Sequence, residues 1–303
     1  MGKNVDVKTI VNLPKVSNCI NPNFIYNRFD LHHISENKFQ IFKIELEGKV
    51  YFIEAYYEDN EAILGIWLSD IPEEVVIGLI NFIFDTHDEI NKISYTHSYL
   101  KLGLCTEKNH FRIKLPDKIE ELDKRTTSKE RYNIRSRKKK INDSIGECKF
   151  EEYTADNVTN EIFEKYFYMK EKTFGRDYKM SAEEYIQAYH ITDIYVMKAN
   201  EDIMSIILSC EQCPIAYIEN ITYNLEYKNY FPGMIIYDYY IHRLVEKHKS
   251  ELFLGGGPLD FKRKYGSIEE NIYEGIIYKN KFKMYFKEQA HKVSKFIKHL
   301  TKD

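Results

Sequence analysis

Between Pro214 and Gly266 the sequence gathers residue types that can hold an anion without a metal. A strand pattern, Pro214–Tyr223, runs into the polar and aromatic stretch Asn224–Phe231, and Pro232-Gly233 then opens a helix. Pro suits a first helical turn because the N–H it lacks would have no partner there. The other first-turn N–H groups point outward at the positive end of the helix, so a phosphate or carboxylate binds them. Gly233 has no Cβ and lets the backbone approach such a group closely, with Lys228 nearby in sequence. The following strand ends in Gly255-Gly256-Gly257, which clears side chains where another backbone or a thin ligand arm can lie. Phe261-Lys262-Arg263-Lys264-Tyr265-Gly266 then places three cations beside that gap.

Other groupings carry less chemistry. Cys210-Glu211-Gln212-Cys213 is a single CxxC on an expected hairpin turn, and without a second Cys or His pair it is not a zinc set, so no metal is expected. His32-His33, His242 and His248 lack ligand spacing. The three glycines are not a dinucleotide fingerprint, because Asp260 stands where the third glycine belongs. Residues 124–140 hold nine Lys or Arg against one acid, Glu130, in a chain of net charge −3. Arg131, Arg135, Lys138 and Lys139 recur about one turn apart, opposite Ile134 and Ile141. Such a run reads as a solvated face, or as a contact for phosphate on a nucleotide- or lipid-linked acceptor or on tRNA.

The elements that must position these residues read as one grammar used twice. Phe39–Leu46, Val50–Tyr57 and Ala62–Trp67 form a meander with turns at Glu47-Gly48 and Asp59-Asn60. A helix opened by Ser69–Glu74 runs to about His87, and strands follow near Lys92–Tyr95 and His110–Leu115. Residues 117–142 read as helical, with Ser128 as cap. Helices over Asn157–Thr173 and Ala182–His190 precede strands Ile194–Ala199, Ile203–Cys210 and Pro214–Tyr223. A helix from Pro232 to about His248, a strand Glu251–Leu254, a short helix Asp260–Lys264, a strand Ile272–Tyr278 and a helix from Lys281 complete the chain. The last helix gathers Phe282, Tyr285, Phe286, Val293, Phe296, Ile297 and Leu300 on one side, which suits packing on the protein's own core or peripheral membrane contact.

Three blocks in order resemble the GNAT acyltransferase superfamily, in its CelD-type and Fem-type branch. They are Tyr230-Phe231-Pro232-Gly233, Leu252-Phe253-Leu254-Gly255 and the Phe261–Gly266 block. Upstream, Phe111–Asp117 followed by Arg131-Tyr132-Asn133-Ile134-Arg135 is similar to that branch's Leu-Pro … Arg-Arg-x-Ile-Arg-Arg element. The sequence departs from the standard GNAT phosphate loop in keeping only Pro232-Gly233, and from the branch in having Phe261 before the Lys. The resemblance implies an α/β mixed sheet of two tandem GNAT-like units. A degenerate unit over 1–118, without Pro-Gly start or Gly-rich strand end, would complete the acceptor groove. An acyltransferase unit would cover 119–303.

The resemblance also implies the reaction: direct transfer of an acyl group from a thioester, acyl-CoA and first of all acetyl-CoA, to an amino group. Donor-binding positions would be Lys228, Tyr230, Phe231, Pro232, Gly233, Met234 and Gly255. Catalytic positions would be Glu219, taking the amine proton, Tyr223, protonating the leaving thiolate, and Lys262, neutralising developing charge. By strand alternation Glu219 shares a face with Tyr217, Ile221 and Tyr223; as a purely structural group it would be an edge-strand carboxylate paired with a cation. The acceptor would be a small-molecule amine, a nucleotide- or lipid-linked sugar, or another cell-envelope precursor. The alternatives are a Fem-type aminoacyl-tRNA-dependent transferase, or a non-catalytic binding module on the same fold.

Composition fits this class. The chain of 303 residues is 43% hydrophobic and 30% charged, with 25 Tyr and 18 Phe, enough for a folded core and a ring-lined groove. Its length favours two packed units. Five cysteines, an odd number, suit a reducing compartment, and no signal-peptide pattern opens the sequence, so cytoplasm is the expected location.

Overall fold

A computed structural model of the chain describes residues 6–10, 39–66, 70–175, 180–189, 191–212, 214–256 and 260–280. The chain divides into two compact units, Met1–Lys108 with Asn271–Asp303, and Asn109–Glu270. This division lies about ten residues before the 118/119 boundary expected from sequence, and it groups the end of the chain with the first unit.

The first unit opens with strands β1 (Asp6–Ile10), β2 (Phe39–Leu46), β3 (Lys49–Glu58) and β4 (Glu61–Leu64), an antiparallel meander. Its tight turns take positive φ at Glu47 and Gly48 and at Asp59, as two-residue hairpin loops require. Helix α1 (Glu73–Thr86) follows, then β5 (Lys92–Ser98), parallel to β4. Val75, Val76, Leu79, Ile80, Ile83 and Phe84 repeat at helical spacing and bury one face of α1 in a core with Phe42, Ile44, Ile53 and Ile93.

The second unit begins within β6 (Leu104–Lys114), followed by α2 (Ile119–Lys124) and α3 (Ser128–Ser144). Thr127, not Ser128, caps α3: its hydroxyl accepts from Glu130 N–H while the Glu130 carboxylate accepts from Thr127 N–H. Thr127 wins because only it stands three residues before a Glu, the spacing of a capping box. Strand β7 (Cys148–Thr154), helices α4 (Asn160–Phe174) and α5 (Ala182–Tyr189), and strands β8 (Asp193–Ala199), β9 (Asp202–Gln212) and β10 (Ile215–Tyr223) come next. A 3-10 turn, Leu225–Tyr230, leads to α6 (Pro232–Glu246), then β11 (Glu251–Gly255), a 3-10 turn at Asp260–Arg263 and β12 (Ile268–Tyr278). The helix expected from Lys281 lies outside the described residues.

Strand order is β1-β2-β3-β4-β5-β12 in the first unit and β6-β11-β10-β9-β8-β7 in the second. β12 pairs antiparallel with β5 through Tyr273–Tyr278, and β6 pairs antiparallel with β11. In the second unit the sheet is covered on both faces. Ile235, Ile236, Tyr237, Tyr240, Ile241, Leu244 and Val245 of α6 pack with Ile207, Ala216 and Leu252 on one side. Ile162, Phe163, Tyr166 and Met169 of α4 pack with Ile194, Ile206 and Leu208 on the other. Among the described residues no helix is long and apolar enough to cross a membrane.

Candidate functional site

The parallel pair β10–β11 is where the second unit opens. Ile215, Ala216 and Tyr217 register with Glu251, Leu252 and Phe253, and the ladder stops there. β10 runs on to Tyr223 with only β9 beside it, while β11 ends at Gly255 with φ +67°. Against β9, Ile218 lies opposite Ser209 and Asn220 opposite Leu208, so Glu219 is the extra residue of a β-bulge.

The bulge corrects one expectation. Alternation is broken at Glu219, so Tyr217 and Ile221 fall on opposite faces: Tyr217 registers with Cys210, two residues from Leu208 of the α4-side core, and Ile221 with Ile207 of the α6-side core. β10 is interior in strand order, but at Glu219 it has only β9 beside it, because its ladder with β11 ends at Tyr217. Lys170 of α4, only 7% exposed, donates to Asn220 Oδ1 at 3.1 Å beside this bulge. The sequence reading missed Lys170. Its signal was a Lys on the same helical face as Phe163 and Tyr166, where burial is expected.

Beyond the bulge a cleft of about 310 Å3 opens. Ile221 and Tyr223 line it from β10, Lys228 and Phe231 from the turn before α6, Pro232, Gly233 and Met234 from the helix start, and Phe261 from beyond β11. Six of the ten site residues expected from sequence therefore meet in one place: Tyr223, Lys228, Phe231, Pro232, Gly233 and Met234. A Cβ on Gly233 would stand 3.4 Å from Tyr223 Cδ1, which shows how closely the helix start approaches the strand end. α6 has no side-chain cap and no acid in its first turn, so its positive end is not neutralised from within.

The other four expected residues do not line the cleft. Glu219 is half-buried at the bulge. Tyr230 packs against the α6-side core and carries Lys140 Nζ 5.3 Å from its ring centre. At Gly255 a Cβ would stand 3.3 Å from Tyr217 Oη. Gly256 answers the expectation of a close backbone, since a Cβ there would stand 2.7 Å from the Asn109 carbonyl oxygen. Lys262 is 7% exposed, its Nζ donates to the Gly256 carbonyl, and burial holds its ammonium down to about 8. Lys262 thus ties the glycine-rich strand end to the turn that follows.

The basic helix presents a different face from the one its spacing suggested. Arg131 donates to the Asp123 and Thr126 carbonyls, and Lys138 lies 5.0 Å from the Phe150 ring centre. Arg137 and Lys140, one turn apart, reach the aromatic turn before α6: the Arg137 guanidinium lies 3.9 Å from the Phe231 ring centre. Cys210 is buried, with its thiol pushed up to about 12 by desolvation, and Cys213 lies outside the described residues. His242 bridges Asp238 and Asp123, a structural tie. No cluster of three metal-ligating side chains occurs among the described residues.

A larger cleft, about 490 Å3, lies in the first unit over β5, β12 and the start of β6. It contains none of the expected residues, and its one carboxylate, Glu274, is paired with Lys108 at 2.6 Å.

No family model matches the chain, and no curated protein matches it in sequence. Solved structures do match in shape. FemX shares 9% identity over 80% of this chain and 89% of its own, with a TM-score of 0.55. L-PGS from Bacillus licheniformis shares 14% identity over 76% and 81%, with a TM-score of 0.50. The C-terminal domain of a protein described as a lysylphosphatidylglycerol synthetase, from Agrobacterium fabrum, gives 12%, 76%, 81% and 0.51. At such identities the likeness shows a common fold alone, a mixed α/β fold of the class expected from the sequence.

Proposed function

We propose that the second unit is an acyltransferase that takes an acyl group from a thioester and passes it to an amino group. The observation that carries this reading is the open β10–β11 pair, with a cleft beyond the bulge that joins Ile221 and Tyr223 to the uncapped start of α6. The donor is acyl-CoA, acetyl-CoA first, with its phosphates at Gly233 and Lys228 and its acyl arm directed along β10. The acceptor is a small-molecule or cell-envelope amine, and the setting is cytoplasmic. The folds of FemX and of lysylphosphatidylglycerol synthetase support an envelope precursor. The first unit is a degenerate copy of the same fold.

In this reading the amine nitrogen attacks the thioester carbonyl carbon, the C–S bond breaks and the sulfur leaves as thiolate. Backbone N–H groups of β10 beyond Tyr217 stabilise the oxyanion of the intermediate. Glu219 takes the proton the amine loses, directly or through water. Tyr223, 37% exposed on the cleft wall, returns a proton to the thiolate. Lys262 holds the strand end in place from outside the cleft.

Calorimetric titration of CoA and acetyl-CoA tests this, with Gly233→Asp as control. Binding that disappears in the variant supports the reading. Absence of binding to the wild-type protein overturns acyl-CoA as donor. A second reading, aminoacyl-tRNA as donor, is favoured by the motif resemblance to the Fem-type branch and by the cations of α3. It requires tRNA affinity that falls steeply with salt.

A further inference from the structure

Phe231 is the residue that packing and backbone conformation least explain. It is 49% exposed, so burial accounts for little of its side chain. Its backbone is left-handed, φ 56° and ψ 49°, where an L-residue with a Cβ is strained and glycine is not. The strain is held in place from both sides. Phe231 N–H donates to the Lys228 carbonyl, and its own carbonyl accepts from Met234 and Ile235. The buried face of α6, with side chains such as Ile236 and Leu244 wholly removed from water, outweighs the cost. A large ring kept exposed on a strained backbone is a feature that a ligand explains.

The surroundings indicate which ligand. The Arg137 guanidinium stacks on the ring at 3.9 Å, and the ring forms one wall of the cleft. An Arg–aromatic pair with exposed ring surface is a platform for a planar heterocycle. Lys228 lines the same cleft and Lys140 lies 5.3 Å from the neighbouring Tyr230 ring, and among the described residues no carboxylate pairs with Arg137, Lys140 or Lys228. At about 310 Å3 the cleft is at the small end of ligand pockets, about 300–1,000 Å3, so it holds part of a donor and not all of it.

We propose that Phe231, backed by Arg137, is a stacking platform for the adenine ring of the donor, with Lys140 and Lys228 facing the adjoining phosphates. This rests on the donor entering the cleft as proposed above, and it names the part of the donor recognised there. An adenosine bearing phosphate is common to CoA and to the 3′ end of an aminoacylated RNA, so the platform serves either source.

The test uses the full chain and its Phe231→Gly and Phe231→Trp variants, titrated with CoA, pantetheine, adenosine 3′,5′-bisphosphate and a short RNA hairpin ending in 3′-CCA. Phe231→Gly relieves the backbone strain, so its melting temperature should not fall, which separates loss of the platform from loss of the fold. Its affinity for the bisphosphate should drop at least about fivefold, the low end of base–aromatic stacking, whereas Phe231→Trp should bind as well as wild type. The loss should extend to CoA or to the hairpin, whichever the wild-type protein binds, and that arm identifies the source. Pantetheine, which has no base, should bind the variants and wild type alike. Equal affinities of wild type and Phe231→Gly for every adenosine ligand overturn the platform while leaving the transferase reading intact. Binding of none of the four probes by the wild-type protein overturns both.

Discussion

In the first unit β4 ends with its ladder: Glu61–Leu64 pairs along its whole length with Lys92–Tyr95, and α1 starts behind Pro72 with Glu73 and Glu74 in its first turn. In the second unit β10 outruns its ladder by six residues, bulges at Glu219, and is followed by a helix that starts with Pro232-Gly233 and no acid. Both units use a four-strand meander, a helix and a parallel strand in the same order. The topology alone therefore makes no site. A cleft needs two parallel strands of unequal reach, and an anion site needs a helix start that its own sequence leaves positive.

The largest expected effect concerns the bulge. Glu219→Gln should lower kcat by about 10²- to 10⁴-fold with KM little changed, as loss of a general base does. Glu61→Gln, on the matching parallel strand of the first unit, should leave turnover intact. Comparable rates for wild type and Glu219→Gln would break the contrast between the units at its centre.

The helix starts come next. Gly233→Asp should cost at least about tenfold in donor affinity, about 1.4 kcal/mol, because a carboxylate then stands where an anion should bind. Its fold should survive, since a Cβ there meets Tyr223 at an ordinary 3.4 Å. Replacing Glu73 and Glu74 by Gln should not create a second donor site, because β4 has no overrun to pair with it; calorimetric stoichiometry reads this directly.

Both units bury ionisable groups at some cost, and Glu54 in the first and Lys262 in the second have opposite pH signatures. Burial raises Glu54 of β3 from 4.5 to about 8, so the folded state binds the extra proton and stability falls as pH rises from about 4.5 through 8. Burial lowers Lys262 from 10.5 to about 8, so the folded state gives up its proton first and stability rises as pH climbs from about 8 to 10.5. Glu54→Gln should flatten the first slope and Lys262→Met the second, each leaving the other in place, as followed by urea unfolding across that range. The smallest effect is local: Thr127→Ala should cost about 1 kcal/mol through the lost capping box, with no change in donor affinity.

The helix start at Pro232 and the hairpin at Glu47-Gly48 were readable because Pro and Gly constrain the backbone wherever they stand. Strand β7 was not. Its alternation of Lys149, Glu151 and Glu152 with Phe150 and Tyr153 is half charged and borders a basic helix, and only pairing with β8 makes it a strand. The bulge at Glu219 depends on register against β9, which no local pattern encodes. Arg137 and Lys140 were passed over for the same reason. Cations cover α3 everywhere but the face of Ile134 and Ile141, and tertiary packing alone selects the ones that meet Phe231.

The pairing of β12 with β5 has a consequence for how the protein is made. β5 ends at Ser98, but its antiparallel partner, Tyr273–Tyr278, is about 180 residues further along the chain. At roughly 5–20 residues per second, a ribosome delivers that partner about 9–36 s after β5 has been synthesised. The usual order, in which the N-terminal unit finishes folding before the next emerges, is closed to this protein. Throughout that interval the side of β5 away from β4 is an open strand edge, and the nascent chain must be kept from pairing with its neighbours until the second unit has been translated.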